Sequence, residues 1–162
     1  MASVKSNPPK IHRYEYPRPA VTVDIVLFCR SGSGVDVLLI KRAREPFKGR
    51  WAFPGGFVDK DESLEDAAAR ELLEETGLSE LNLEQIGAFG DPGRDPRGHT
   101  VSIVFGAVLD DRPEASAADD ATDAAWHSAV RPPRLAFDHK KILRLALERI
   151  SGVPLSPNRS LR

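Results

Sequence analysis

Residues 55–78, GGFVDKDESLEDAAARELLEETGL, constrain this chain more than any other segment. The second half has helical periodicity. Leu64, Ala67, Ala68 and Leu72 share one apolar face, while Glu71, Glu74 and Glu75 collect on another. Ser63, followed three residues later by Asp66, resembles a capping box with Asp in place of Glu, and Gly77 is placed to end the helix in a left-handed cap. The segment predicts a short, bounded helix with a core side and an acidic side.

The acidic side works against the helix. Glu71 stands three residues from Glu74 and four from Glu75, and like charges at such spacings destabilise a helix by roughly 0.2–0.5 kcal/mol per pair. A solvated acidic face is the plain explanation. A site for a hard divalent cation is the sharper one, because Mg²⁺ takes carboxylate and carbonyl oxygens and keeps positions open for water and phosphate. Just upstream, two adjacent glycines interrupt the strand-like run Trp51-Ala-Phe-Pro-Gly-Gly-Phe-Val58, which marks either a simple turn or a close approach of the backbone to another group.

Gly56, Glu62, Arg70, Glu71, Leu72, Glu74, Glu75, Gly77 and Leu78 together match the Nudix box, G-x5-E-x7-R-E-U-x-E-E-x-G-U with U aliphatic. The chain thus resembles the Nudix hydrolases over residues 19–150. Residues 41–49, the run Asp91-Pro-Gly-Arg-Asp-Pro-Arg-Gly-His99 and the exit from Asp119 to Trp126 are similar to the members that act on ADP-ribose.

Composition fits one compact domain. A chain of 162 residues with 41% hydrophobic composition can bury a single core, and a second large domain does not fit. The formal charge of −1 leaves no basic footprint for a nucleic-acid polymer. The one cysteine, Cys29, ends an apolar run, so neither a disulfide framework nor a zinc cluster is expected. No apolar run nears the ~18 residues of a membrane span and no signal-peptide core is present, which predicts a cytoplasmic protein.

Along the chain, residues 1–18 form a polar, proline-bearing arm and residues 151–162 a loose tail, flanking a domain over 19–150. Residues 21–28 and 35–40 read as a hairpin around a Gly/Ser turn, and 83–89, 101–109 and 124–127 as further strands. Residues 137–150 have the spacing of a final amphipathic helix, with His139 a helix-end residue. This order suits an α/β fold with a mixed β-sheet between helices, and the resemblance implies the Nudix-type α/β/α sandwich.

The resemblance also implies a mechanism. Glu71 and Glu75, helped by Glu74 and a backbone carbonyl at Gly55 or Gly56, would hold Mg²⁺, with Mn²⁺ as a substitute, against a diphosphate. The general base is Glu74, Asp119 or Asp120. Arg70 and Glu62 would pair to position the glutamates. The implied substrate is ADP-ribose, cleaved to AMP and ribose 5-phosphate. Arg42, Arg44, Arg94 and Arg97 are candidates for phosphate or ribose contacts, and Phe47 and Trp51 for stacking on adenine, with a core role as the alternative for both aromatics. Other nucleotide derivatives are competing substrates. A silent ADP-ribose sensor is the competitor of another class, opposed by the intact glutamates and by too few residues after Ile150 for a DNA-binding winged helix. A homodimer in which the arm completes the partner's site is expected from the same likeness.

Overall fold

The computed structural model describes residues 14–32, 34–117 and 121–151. Asp119 and Asp120 lie outside them, as do residues 1–13 of the expected arm and 152–162 of the expected tail. The elements are β1 (Ala20–Ser31), β2 (Gly34–Arg42), β3 (Trp51–Ala52), β4 (Gly55–Phe57), α1 (Leu64–Thr76), β5 (Glu84–Phe89), β6 (Thr100–Leu109), β7 (Ala121–Ser128) and α2 (His139–Ala146), followed by a π-helical turn, Leu147–Ser151.

All seven strands join one mixed sheet ordered β3-β2-β1-β6-β5, with β4 added to β1 and β7 to β2. One edge of β1 is filled by β6, parallel from Ala20 against Thr100 to Cys29 against Leu109. The other edge is shared. β2 takes its far end, from Phe28 to Ser31, and β4 takes its near end, from Thr22 to Asp24. The sheet therefore forks beside Asp24, and the fork becomes one wall of the site.

Alternation along β1 divides the core. Val23, Ile25 and Leu27 pack against Ala67, Ala68 and Leu72 of α1, while Val26 and Phe28 pack against Ile142, Leu143 and Ala146 of α2. Each face is covered by a helix, which makes the α/β/α sandwich. Leu72 is 1% exposed, and burial of such a side chain contributes about 1.5–3 kcal/mol. Cys29 is a buried free thiol. No helix among the described residues is long and apolar enough to cross a membrane.

The caps of α1 are those expected from its sequence. The Asp66 amide donates to Ser63 Oγ at 3.1 Å, and Gly77 takes φ 73° while its amide donates to the Leu73 carbonyl. The last helix differs. Its regular part is confined to His139–Ala146, because Phe137 has φ 48°, outside the right-handed helical region, and the chain widens into the π-helical turn after Ala146. His139 is not a simple helix-end residue: it is 3% exposed and turned into the molecule.

Candidate active site

The glycine segment lies against the acidic face of α1. Gly55 has φ 156°, and a Cβ there would stand 2.1 Å from the Val23 carbonyl oxygen of β1. A Cβ on Gly56 would stand 2.4 Å from Glu71 Oε1. Both positions need glycine, the first to meet a backbone and the second to leave room for a carboxylate. The Gly55 amide donates to Glu75 Oε2 at 2.9 Å. The adjacent glycines thus mark a close approach of β4 to the glutamates.

Arg70 relieves the like-charge crowding on α1. Its Nε and Nη2 donate to Glu62 at 2.7 and 2.9 Å, its Nη1 to Glu71 at 2.7 Å and to Glu74 at 3.3 Å, and Nη2 also reaches the Phe57 carbonyl. The Arg70 hydrogen bond, with help from the Asp59 amide, lowers the Glu62 carboxyl to a pKa of about 2. The pair is thus charged and aligned, and Arg70 orients the acidic face. Arg70→Ala is expected to lower kcat about 10–100-fold with KM little changed, the usual cost of removing a group that orients metal ligands; steady-state kinetics check it.

Glu75 is unlike Glu62. Burial first, then the neighbouring charges of Glu71 and Asp24, push its pKa up to about 8 against the opposing pull of the Gly55 amide and Arg42. Burial also raises Glu71, against Arg70. Because the folded state holds the Glu75 proton more tightly than the unfolded chain, this stabilisation is fully present below the ordinary value of 4.5 and is lost as pH rises through about 8. In chelator, the melting temperature of the wild type is therefore expected to fall across that window, more steeply than that of Glu75→Gln; a thermal-melt series against pH measures it.

The opposite wall comes from β1, α2 and the loop after β5. Asp24, 8% exposed, follows the face of β1 that packs under α2 and interrupts its apolar series. Its Oδ2 accepts the Ser102 hydroxyl, and its Oδ1 stands 3.4 Å from His139 Nε2. His139 Nδ1 accepts the Phe53 amide proton at 3.1 Å, and the ring stacks on Phe53 at 4.8 Å and 18°. Burial lowers the His139 pKa despite the nearby Asp24 and Asp138, and a ring that accepts the Phe53 amide proton on Nδ1 carries its own proton on Nε2. Arg94 clamps the loop to the start of α2 by a two-pronged pair with Asp138, at 3.0 and 2.7 Å. That carboxylate therefore does not cap α2.

These walls enclose a cavity of about 420 Å³, within the range of small-molecule sites. Glu71, Glu74, Glu75, Arg70, Gly55 and Gly56 line it together with Arg42, Arg44, Arg94 and Arg97. Glu62 stands behind Arg70 and is not in the lining. Arg94 is 5% exposed in its side chain and committed to Asp138. Arg97 is held by Asp95 at 2.7 Å, with its guanidinium 5.0 Å from the Phe57 ring and 5.7 Å from the Phe137 ring. Arg42 donates to the Pro46 carbonyl and lies 4.9 Å from the Phe137 ring.

The two aromatic candidates lie off the cavity wall. Phe47 packs edge-on against Phe137 at 4.9 Å, and Trp51 packs against His127 at 4.2 Å beside the α2 core. The aromatics in the lining are Phe53, Phe57 and Phe137. Sequence reasoning missed Asp24 and His139. The signal for Asp24 was present, a lone acid inside the apolar run of residues 21–28; His139 had none, since only the fold brings α2 to Phe53.

The donors suit Mg²⁺ or Mn²⁺. They are hard oxygens, and burial, with the charge of Glu71 beside it, raises the Glu75 pKa to about 8, so that a cation bound there would displace a proton. Gly56 supplies the room that any Cβ would take from Glu71. Among the described residues no three His, Cys, Asp or Glu side chains converge on one point, because Glu71 turns to Arg70 and Glu75 to the Gly55 amide. Holding an ion requires these carboxylates to share or exchange those partners.

A NUDIX domain model matches residues 18–146. An ADP-ribose pyrophosphatase from Methanocaldococcus jannaschii is 45% identical over 130 residues, 80% of this chain and 73% of the relative. Among solved structures, a MutT/nudix family protein from Enterococcus faecalis superposes with a TM-score of 0.78 at 35% identity, covering 88% of this chain and 66% of that one. The NUDIX domain of Shewanella oneidensis NrtR, complexed with ADP ribose, gives 0.76 at 34%, covering 83% and 90%. With the box seated on α1 and the domain model spanning most of its length, this chain belongs to the Nudix family of pyrophosphohydrolases.

Proposed function

We propose that this protein hydrolyses the pyrophosphate bond of ADP-ribose, with Mg²⁺, to AMP and ribose 5-phosphate. The observation that carries this reading is the meeting of Glu71, Glu74 and Glu75 with Arg42, Arg44 and Arg97 around one cavity, acids for the ion and guanidinium groups for phosphate oxygens. The likeness to the Methanocaldococcus enzyme and to an ADP-ribose complex supports the choice of substrate.

Glu71 and Glu75 would hold Mg²⁺, joined by Glu74 and a carbonyl of Gly55 or Gly56. When bound, the ion screens the diphosphate and makes a water more acidic. A water oxygen joins one phosphorus while the bridging oxygen leaves with the other phosphate. Among the described acids Glu74 is the candidate to take the water's proton: its side chain is 42% exposed and its cationic partner is Arg70 at 3.3 Å. Asp119 and Asp120 stay as candidates from the loop before β7. Arg42 and Arg97 bind phosphate or ribose oxygens, and Arg44 adds positive charge at the mouth. Phe57 and Phe137 offer the apolar faces for a base that Phe47 and Trp51 do not. The protein acts in the cytoplasm as a homodimer in this reading.

The test is incubation with Mg²⁺ and a panel of ADP-ribose, NADH, diadenosine polyphosphates, GDP-sugars and oxidised dNTPs, with AMP and phosphate release measured. ADP-ribose is expected to give the highest kcat/KM. The NrtR likeness favours one second reading, ADP-ribose sensing without turnover. Tight binding of ADP-ribose with no product from any substrate would establish that reading instead. Sedimentation of the pure protein tests the dimer.

A further inference from the structure

The crossing from β3 to β4 is two residues long, Phe53 and Pro54, and leads into Gly55, the first residue of β4. Pro54 has no amide proton. The Gly55 amide goes to Glu75, and the Phe53 amide goes to His139 Nδ1. The Phe53 and Gly55 amides thus both end on side chains, one from α2 and one from α1. From the β1 side, the Ile25 amide donates to the Pro54 carbonyl at 2.8 Å, and Asp24 lies opposite Gly55 in the β1–β4 register. The glycine segment is held at four points, and His139 supplies the one that comes from across the sheet.

His139 can supply it only in one protonation form. An acceptor at Nδ1 requires the proton on Nε2. Asp24 favours that form, with Oδ1 3.4 Å from Nε2, and Asp24 is itself oriented by the Ser102 hydroxyl and by Arg94, whose Nη2 lies 3.9 Å from Oδ2. The ring cannot readily turn, being stacked on Phe53, tilted against Phe137 at 5.4 Å and 3% exposed.

We propose that His139 and Asp24 are a positioning pair for the hydrolytic site: the imidazole, proton on Nε2 toward Asp24, grips the Phe53 amide and so sets the height of the Gly55–Gly56 backbone over Glu71 and Glu75. Both side chains line the same cavity, and the role assigned to them is exerted through the glycine segment. This inference rests on the reading of the cavity as a hydrolytic site.

The full chain carrying His139→Ala or His139→Asn tests it. Asn keeps an acceptor near the place of Nδ1 but has no group at Nε2; Ala keeps neither. His139→Ala is expected to lose about 10–100-fold in kcat, the scale of losing a group that orients metal ligands, with KM for ADP-ribose little changed. Its Mn²⁺ affinity without substrate, read by electron paramagnetic resonance, is expected to weaken, and His139→Asn to recover most of both. A purely structural role would lower the melting temperature or the active fraction and leave the Mn²⁺ affinity and the kcat of the folded fraction alone. Wild-type kcat and Mn²⁺ affinity in His139→Ala would overturn the proposal, and so would His139→Asn no better than Ala. Should His139→Ala fail to fold, the wild type decides: imidazole ¹⁵N shifts must show the Nε2–H form, and an Nδ1-protonated ring would overturn the assignment. If the wild type cleaves nothing in the panel, the proposed function fails, while Mn²⁺ affinity and the ¹⁵N shifts still decide this inference.

Discussion

Glu75→Gln is expected to lower kcat/KM for ADP-ribose by a factor on the order of 10²–10⁴, the range over which removal of one charged catalytic group acts, while making the metal-free protein more stable at pH above about 8. The two effects have one cause. The wild-type carboxylate is buried beside Glu71 and Asp24 and is compensated only in part by the Gly55 amide and Arg42. An amide in its place accepts the Gly55 proton without the repulsion, so the fold gains. The same amide offers a cation one weak oxygen and no charge, so the site loses its ion. Calorimetric titration with Mg²⁺ and a melt in chelator read both sides. Unchanged turnover would sink the assignment of Glu75 to the metal site, and a lower metal-free melting temperature above pH 8 would sink the account of its strain.

The second large effect separates two adjacent glycines. Gly55→Ala is expected to destabilise the fold by about 1–3 kcal/mol or more, since its Cβ would stand 2.1 Å from the Val23 carbonyl oxygen and 2.9 Å from the Asp24 Cα, both backbone atoms. The near half of β1 would have to part from β4 to admit it. For Gly56→Ala the nearest atoms are the carboxylate end of Glu71, at 2.4 Å, and a side-chain end can swing away. The melting temperature of Gly56→Ala is therefore expected to stay close to wild type, while Mg²⁺ affinity and kcat fall because Glu71 has been turned out of the site. Circular-dichroism melts paired with Mg²⁺ titration distinguish the two. Equal loss of stability in both variants would show that the contact between Gly56 and Glu71 is not what reserves that position for glycine.

Much of the acidic wall was legible in the sequence. Helix α1 has its boundaries written locally: Ser63 and Asp66 at one end, Gly77 at the other, and a three-and-four apolar spacing between. These devices act within one or two helical turns, so they appear in a linear string. The repelling glutamates could likewise be read as a site awaiting a cation. Their relief through Arg70 and Glu62, eight residues apart, follows from one helix and the turn that enters it.

The arginine wall was less legible, because nothing local tells an arginine which partner it will meet. Arg94 and Arg97 sit three residues apart in one polar loop, yet one is sealed against Asp138 and the other is half-exposed between Asp95 and the rings of Phe57 and Phe137. Phe47 and Trp51 had the right chemistry for stacking on a base but fold toward Phe137 and His127, whereas Phe57 and Phe137 face the cavity.

By itself, the sequence determined the helix, its acidic face, the two glycines before it and the family to which they belong, since each depends on spacing along a single element. Only the tertiary structure decided that Asp24 and His139 join the wall of the site. Asp24 faces α2 because β1 alternates and its other face is already filled by α1, and His139 reaches the Phe53 amide because α2 packs in one core cluster with Phe53. Contacts between residues 24, 53 and 139 are made by the packing of three elements, and packing of that range has no period for a sequence to display.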